Sequence, residues 1–318
     1  MAAQRLITSF SEAQKIAIST LQRFQSNKFV KTQRLSSFQD HLLRLCLEPY
    51  TPTKMEFNTR TLPQFHHSAF FPQFAVPERE IGSDGTDTQF NAPSPFCKRM
   101  YAGGSLEWGP VDPKLEDVLS EHTEIESVSA KERKGSVPML VVGLKKTFRP
   151  TVQIGEFEFE ADMSKPSYLV ERRQWVFMQI DKSEEKKEKR LKQMEEEKSD
   201  FSYSTKITST GIFRYSAIMY NAHRIHLDRK YATEVEKHPS ILVQGWFTLQ
   251  LMAMTYCKAW GDKYGNARVK SVKYRAVQPL YMDEEVTFGC NLEKGICWAE
   301  KNVDNVKVCV MKADMEMY

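Results

Sequence analysis

The sequence predicts an α+β fold in which antiparallel sheet surrounds a buried helix, and two similar halves share this pattern. Two observations carry the prediction. Residues 241–260 are apolar on nearly every side, and a helix without a polar face must be enclosed by protein. Short strand-like segments with short connections follow in series, which favours antiparallel pairing. In the first half these segments follow a glycine turn within residues 100–108 and are residues 123–131, 137–148, 152–160 and 168–180. In the second half they are residues 268–278, 285–291, 296–301 and 305–313.

The composition supports a globular protein and excludes several classes. The 318 residues are 41% hydrophobic and 11% aromatic, which suffices for a large core. A net charge of +4 does not predict a nucleic-acid partner. The six cysteines contain no C-x-x-C pair and fit no zinc site, so we expect reduced thiols and no metal. No uninterrupted apolar run reaches the ~20 residues of a membrane span.

The first 35 residues differ from the rest of the chain. They carry six basic residues against one acid, with apolar residues at roughly helical spacing. This pattern is typical of a mitochondrial presequence, and an N-terminal helix is the alternative. A first repeat is predicted over residues 36–180, beginning with a helix over 36–48 that Pro49 ends. Residues 181–204 form a charged linker, and residues 205–318 form a second repeat.

The chemistry is concentrated between residues 213 and 260. We expect a strand over 213–220, a polar cluster over 221–226, and the buried helix over 241–260, ended by Gly261. If Gly245 lies in the first turn of this helix, its N–H has no acceptor within the helix and can hold a thioester oxygen as it becomes an enolate. His226 can move the α-proton. Trp246 and its apolar neighbours can line an acyl channel.

A plainer interpretation of the polar cluster stays open. Histidines in structured loops often only hydrogen-bond, so residues 221–226 can be a packed turn. A zinc site built on His223 and His226 is disfavoured because no third ligand is evident.

Five segments resemble, in order, the hydratase-2 motif of MaoC-like double hot-dog dehydratases, and most closely the fungal mitochondrial hydroxyacyl-thioester dehydratases of type 2. They are LPQFHH (62–67), GTD (85–87), KRMYAGGSLEW (98–108), FRYSAIMYNAHRIHLD (213–228) with LVQG (242–245), and VKYRAVQPL (272–280). The resemblance implies a double hot-dog fold, with two antiparallel sheets each wrapping a central helix and a helical N-terminal extension. It also implies a cofactor-free dehydration of (3R)-3-hydroxyacyl thioesters to trans-2-enoyl thioesters, on acyl carrier protein in the mitochondrial matrix.

The resemblance places family roles on individual residues. His226 falls on the catalytic histidine and Gly245 on the oxyanion-binding glycine, whereas Asn221 stands where the family usually has a catalytic aspartate. An amide cannot shuttle a proton, so we expect His226 to do the proton transfer and Asn221 to hold the leaving hydroxyl. His223, at the position of a common asparagine, is either a supporting group or the replacement acid. The substrate-binding set is then His223, Arg224, Gln244, Trp246 and Tyr220.

Two rival functions remain on the sequence alone. The first keeps the fold but uses coenzyme A thioesters, as an R-specific enoyl-CoA or mesaconyl-CoA-type hydratase. The second is a non-catalytic acyl-thioester-binding protein, which Asn221 permits and which His226 and Gly245 disfavour. The first half lacks an N-x-H-x-x-H cluster, so it is expected to be non-catalytic and to help house a long acyl chain. A homodimer is left open.

Overall fold

The architecture is known from a computed structural model that describes residues 8–25, 29–52, 60–72, 76–132, 137–179 and 193–318. Its helices are α1 (Phe10–Gln25), α2 (Ser37–Leu47), α3 (Ser209–Ile218) and α4 (Gly245–Tyr264). Its strands are β1 (Phe29–Arg34), β2 (Phe96–Trp108), β3 (Val118–Lys131), β4 (Met139–Gln153), β5 (Phe159–Ala161), β6 (Leu169–Gln179), β7 (Phe201–Lys206), β8 (Val269–Ala276), β9 (Glu285–Asn291), β10 (Ile296–Val303) and β11 (Val306–Met317).

The sheet shows the predicted duplication directly. Its strand order is β1-β3-β4-β6-β2-β8-β11-β10-β9-β7. Read from each outer edge towards the centre, β1-β3-β4-β6-β2 of the first half corresponds to β7-β9-β10-β11-β8 of the second. The predicted double hot-dog fold is confirmed, with one addition: β2 and β8 pair antiparallel and join the two half-sheets into one. The Gly103-Gly104 pair lies in this join, opposite Arg275 and Tyr274.

Helix α4 is the helix enclosed by the second half-sheet. It contacts β7, β8, β9 and β10, and half of its twenty residues are buried. The predicted bounds were wrong at both ends. Residues 241–244 are extended because Leu242 forms a bridge with Tyr281 and the Val243 N–H donates to the carbonyl of Leu280. Gly261 lies inside the helix, which ends instead at Gly265, where φ is +91°.

The strand predicted over residues 213–220 was wrong, because most of this segment is helix α3. Thr208 caps its start through a hydrogen bond from the Gly211 N–H to Oγ1. The buried residues Ile212, Tyr215 and Ser216 recur at helical spacing, which the aromatic content of the segment obscured. Helix α3 packs on α2, whose predicted bounds agree with the structure within a residue at each end.

The N-terminal segment belongs to the first half-sheet. Ala13, Ala17 and Phe24 of α1 are buried against strands β3 and β4. All six residues of β1 pair with β3. Cleavage at residue 35 would remove both elements, and the choice between a presequence and an N-terminal helix stays a prediction.

Other boundary predictions met mixed outcomes. The strand predicted over 152–160 was largely wrong, since a turn follows β4 and only Phe159–Ala161 returns to pair with it. The first twelve residues of the predicted linker lie outside the described residues. Strand β7 begins at Phe201, so residues 201–204 of the predicted linker belong to the sheet. Within the described part of the chain, no helix is long and apolar enough to cross a membrane.

Candidate active site

His226 is held in a defined orientation at the end of a helical turn, Arg224–His226. Its Nδ1 lies 2.9 Å from the carbonyl oxygen of Leu242. A carbonyl can only accept, so Nδ1 carries the hydrogen and Nε2 keeps its lone pair. Burial lowers the pKa of His226 to about 4, although the bond to Leu242 acts in the opposite direction. The ring is therefore neutral at pH 7, with Nε2 as its basic atom.

His223 lies beside His226 and is more deeply buried. The two ring centroids are 5.4 Å apart, and the rings are nearly perpendicular. Burial first, and the neighbouring His226 second, hold the pKa of His223 well below its ordinary value. His223 is neutral at pH 7, so it can donate or accept a hydrogen bond but does not store a proton. Its role as a replacement acid stays a prediction.

Asn221 shapes the loop that carries both histidines. Its Oδ1 accepts a hydrogen bond of 3.0 Å from the backbone N–H of His223, and the backbone N–H of Asn221 donates to the carbonyl of Ser216. Its side-chain nitrogen supplies the two donors that can hold a hydroxyl group. Tyr220 precedes it in a left-handed conformation, with φ of +49°, and is 62% exposed. Tyr220 therefore lies at the surface of the site loop.

Gly245 is the first residue of α4, as the proposed oxyanion site requires. Its N–H has no acceptor within the helix and stands at the positive end of the helix dipole. An added Cβ would lie 3.0 Å from Cδ1 of Tyr101, so the space beside this residue is filled by an aromatic ring. The carbonyl that fixes His226 belongs to Leu242, three residues earlier. The basic histidine and the helix N-terminus are thus tied together.

Gln244 was predicted to bind substrate, but its amide is directed at α3. Its Nε2 donates to the carbonyl of Ile212 at 3.0 Å and to Oγ of Ser216 at 2.7 Å, and the side chain is buried. Its Oε1 has no hydrogen-bond partner among the described residues. Gln244 therefore joins the start of α4 to α3 through these two hydrogen bonds.

Arg224 clamps a loop of the first half onto the site. Its backbone N–H donates to the carbonyl of Asp84 at 2.8 Å, and its Nη1 donates to the carbonyl of Ser83 at 3.1 Å. A salt bridge of 2.6 Å to Asp228 orients the guanidinium. Gly85, with φ of +83°, approaches the backbone of Ala222 too closely for any side chain. The GTD segment thus forms part of the site loop's support.

Trp246 is surrounded by side chains of the first half. The Arg173 guanidinium lies 4.8 Å above its ring, and the His67 ring meets it edge-on at 5.5 Å. Residue chemistry predicted Trp246 as a wall of the acyl channel and missed these neighbours. The available signal was the pair of charges, Glu171 and Arg173, on one face of a predicted core strand.

The first half, which is predicted to help house a long acyl chain, carries buried charged side chains on its inner face. Glu121, Lys146 and Glu171 are all buried there and engaged in ion pairs. An acyl chain placed against them would have to displace or desolvate charge. Among the residues that the structure describes, no group of three or more His, Cys, Asp or Glu side chains is placed to hold a metal ion.

Solved structures with a similar fold include MaoC-like dehydratases. The chain aligns with one from Phytophthora capsici at a TM-score of 0.60 and 13% identity, covering 94% of this chain and 97% of that one. HtdX of Mycobacterium tuberculosis aligns at 0.59 and 11% identity, covering 92% of this chain and 100% of that one. Another M. tuberculosis protein, described as a double hot-dog fold, aligns at 0.51 and 13% identity, with coverage of 92% and 96%. These likenesses define the fold class.

The sequence defines the family within that class. Residues 65–282 match the family model of hydroxyacyl-thioester dehydratase type 2, and the chain belongs to this family. The mitochondrial hydroxyacyl-thioester dehydratase type 2 of Schizosaccharomyces pombe is 25% identical over 290 residues, 87% of this chain and 94% of the relative. Mesaconyl-C(4)-CoA hydratase of Chloroflexus aurantiacus is 53% identical over 34 residues, 11% and 12% of the two chains. The prediction of a hydro-lyase for hydroxyacyl thioesters is confirmed.

Proposed function

We propose that this chain dehydrates (3R)-3-hydroxyacyl thioesters to trans-2-enoyl thioesters in mitochondrial fatty-acid synthesis. The observation that carries the proposal is the Nδ1–H bond from His226 to Leu242, which leaves Nε2 basic and ties the ring to the segment that leads into α4. A proton acceptor and an oxyanion-stabilising amide are the two groups that removal of an α-proton next to a thioester demands.

The reaction needs one proton to travel between two substrate atoms. Nε2 of His226 takes the α-proton from C2, and the thioester oxygen, becoming an enolate, accepts the N–H of Gly245. The electron pair then forms the C2–C3 double bond as the C3–O bond breaks. His226 returns the same proton to the departing oxygen, which leaves as water. Asn221 orients that oxygen through its side-chain N–H groups, and no second titrating residue is required.

The carrier and the compartment rest on the relatives. The S. pombe relative is named as mitochondrial and is covered over nearly its whole length, which supports a place in the mitochondrial matrix with acyl carrier protein as carrier. The short match to mesaconyl-C(4)-CoA hydratase favours a second candidate, hydration of enoyl-CoA thioesters by the same site. The homodimer stays a prediction.

The first test is hydration of crotonyl thioesters by purified protein, followed as loss of enoyl absorbance. Acyl-carrier-protein and coenzyme A thioesters are compared in parallel, because carrier preference decides between the two candidates. His226→Ala is expected to lower kcat/KM by about 10²–10⁴-fold, as removal of a general base does. His41→Ala, on the exposed surface of α2, is the matched control. Folded protein that binds acyl thioester without turning it over would support a binding protein instead.

A further inference from the structure

The inner face of the first half carries a buried ion pair that the proposed reaction does not use. Glu171 and Arg173 lie on the same face of β6, and the Glu171 side chain is fully buried. Arg173 binds both carboxylate oxygens, through Nε to Oε1 and through Nη2 to Oε2 at 3.1 Å. Burial works to raise the pKa of Glu171, but Arg173 and His67 outweigh it and lower this pKa to about 2. The pair is therefore charged at neutral pH.

Packing alone does not explain why this buried position holds a charged pair. Removing two charges from water costs several kcal/mol for each, and apolar side chains of similar volume often stabilise a core equally well or better. The fixed, bidentate geometry suits a task that needs a cation at a defined place.

That place is the first turn of α4. The Arg173 guanidinium lies 4.8 Å above the ring of Trp246, the residue after Gly245. Nε2 of His67 donates to Glu171 at 3.2 Å, and its ring meets Trp246 edge-on at a right angle. Glu171 thus holds both groups that flank the indole. A third neighbour of Trp246, Tyr274, packs edge-on at 6.3 Å.

The glycine itself is enclosed by the same set of residues. The Tyr101 ring occupies the space beside Gly245, where a Cβ would lie 3.0 Å away. Tyr101 hydrogen-bonds through its hydroxyl to Tyr274 and stacks on it at 5.8 Å. Tyr101 and Arg173 come from the paired strands β2 and β6 of the first half. First-half side chains therefore contact both residues that open α4.

We propose that Arg173, fixed by Glu171, is a positioning residue for the site of the other half: it holds the Trp246 ring and thereby the Gly245 amide. This inference rests on the proposed function, in which that amide stabilises the enolate. The first half is accordingly part of the catalytic unit, because its side chains hold the residues that open α4.

The kinetic test compares two neighbouring arginines. Arg173→Met is expected to lower kcat 10- to 100-fold while KM changes less than threefold, because enolate stabilisation is lost and substrate binding is not. Arg172→Met is the matched control: Arg172 lies on the same strand but pairs with Glu107 and Glu126 at the surface. In the double variant Arg173→Met/Trp246→Leu, the loss should not exceed that of the larger single variant, since both act through one contact.

A second measurement does not depend on turnover. Protein labelled with 5-fluorotryptophan gives a ¹⁹F line for Trp246, assigned with Trp246→Phe. Arg173→Met should shift this line and speed amide exchange over residues 245–248, and Arg172→Met should do neither. Unchanged exchange and an unchanged line would overturn the positioning role, even if activity fell. A wild-type protein inert on both thioesters would overturn the proposed function instead, while the exchange data still decided the positioning role. If Arg173→Met does not fold, Arg173→Lys and Glu171→Gln are measured in the same way.

Discussion

Nδ1 of His226 lies 2.9 Å from the carbonyl oxygen of Leu242, three residues before the first residue of α4. This bond selects the tautomer of His226 and ties the loop of residues 221–228 to the segment that leads into the helix. A movement of either part changes the distance between the base and the Gly245 amide. The extended conformation of residues 241–244 is therefore part of the site's construction.

The state of His226 predicts the pH dependence of turnover. Burial lowers its pKa to about 4, so the basic form persists well below the ordinary value of 6.5. The acid limb of kcat/KM for enoyl hydration should lie below pH 6.5, with activity nearly constant from there to pH 7.5. A pH profile by stopped-time assay, restricted to the range where circular dichroism is unchanged, measures it. An acid limb centred at 6.5 or above would exclude a buried neutral His226 as the base in free enzyme.

Gly245 should tolerate no side chain. In Gly245→Ala the new Cβ would lie 3.0 Å from a Tyr101 ring that Tyr274 holds in place. We expect a destabilisation of about 1–3 kcal/mol from overpacking and at least a tenfold fall in kcat, because α4's first turn must shift. The control is Gly261→Ala in the same helix, whose nearest atom is 3.9 Å away. It should gain up to about 1 kcal/mol from helix propensity. Equal effects of the two substitutions would contradict this account.

Much of the fold followed from the sequence because its signals were local. The glycine-free alternation of Val306, Val308 and Val310 located β11, and the all-round apolar run located α4. The strand wrongly assigned over residues 213–220 had an aromatic content that suits either structure and that obscured the helical spacing of its buried residues. The contacts of Arg173 with Trp246 and of Gly85 with Ala222 join residues 73 and 137 positions apart. No local pattern encodes such contacts, and so the first half's part in the site was missed.

Helix α1 should contribute to stability as a core element does. Phe24 is 2% exposed between α1 and the first half-sheet, so Phe24→Ala should cost about 3–5 kcal/mol in the free energy of unfolding. Ile18, on the same helix, is 60% exposed, and Ile18→Ala should change that free energy by less than about 0.5 kcal/mol. Urea denaturation with unchanged m-values measures both. Equal, small effects would show that α1 is dispensable for stability and would favour a presequence that includes it.

A substitution of Gln244 distinguishes between an anchoring role and a substrate-binding role for this residue. Gln244→Ala leaves Oγ of Ser216 and the carbonyl of Ile212 without their donor, which should cost about 1–3 kcal/mol in unfolding free energy. KM for the enoyl thioester should stay within about twofold, because the amide points at α3. A variant of full stability with a strongly raised KM would restore the predicted substrate contact.

The buried histidines predict a loss of stability in acid. Burial lowers the pKa of His66, His67, His223 and His226 below 6.5, so the folded protein binds fewer protons than the unfolded chain as pH falls below 6.5. For His226 this difference persists down to about pH 4. The stabilisation from these neutral histidines is fully present above pH 6.5 and falls as pH decreases. The loss is about 1.4 kcal/mol per pH unit for each histidine that is neutral in the folded protein and protonated in the unfolded chain. Urea midpoints at half-unit steps from pH 7.5 to 4.5 give the slope, in protons taken up on unfolding. The substitution His223→Asn should reduce that slope by up to one proton, since residue 223 then no longer titrates. A stability that stays flat across this range would mean that these side chains are solvated and charged in the folded protein.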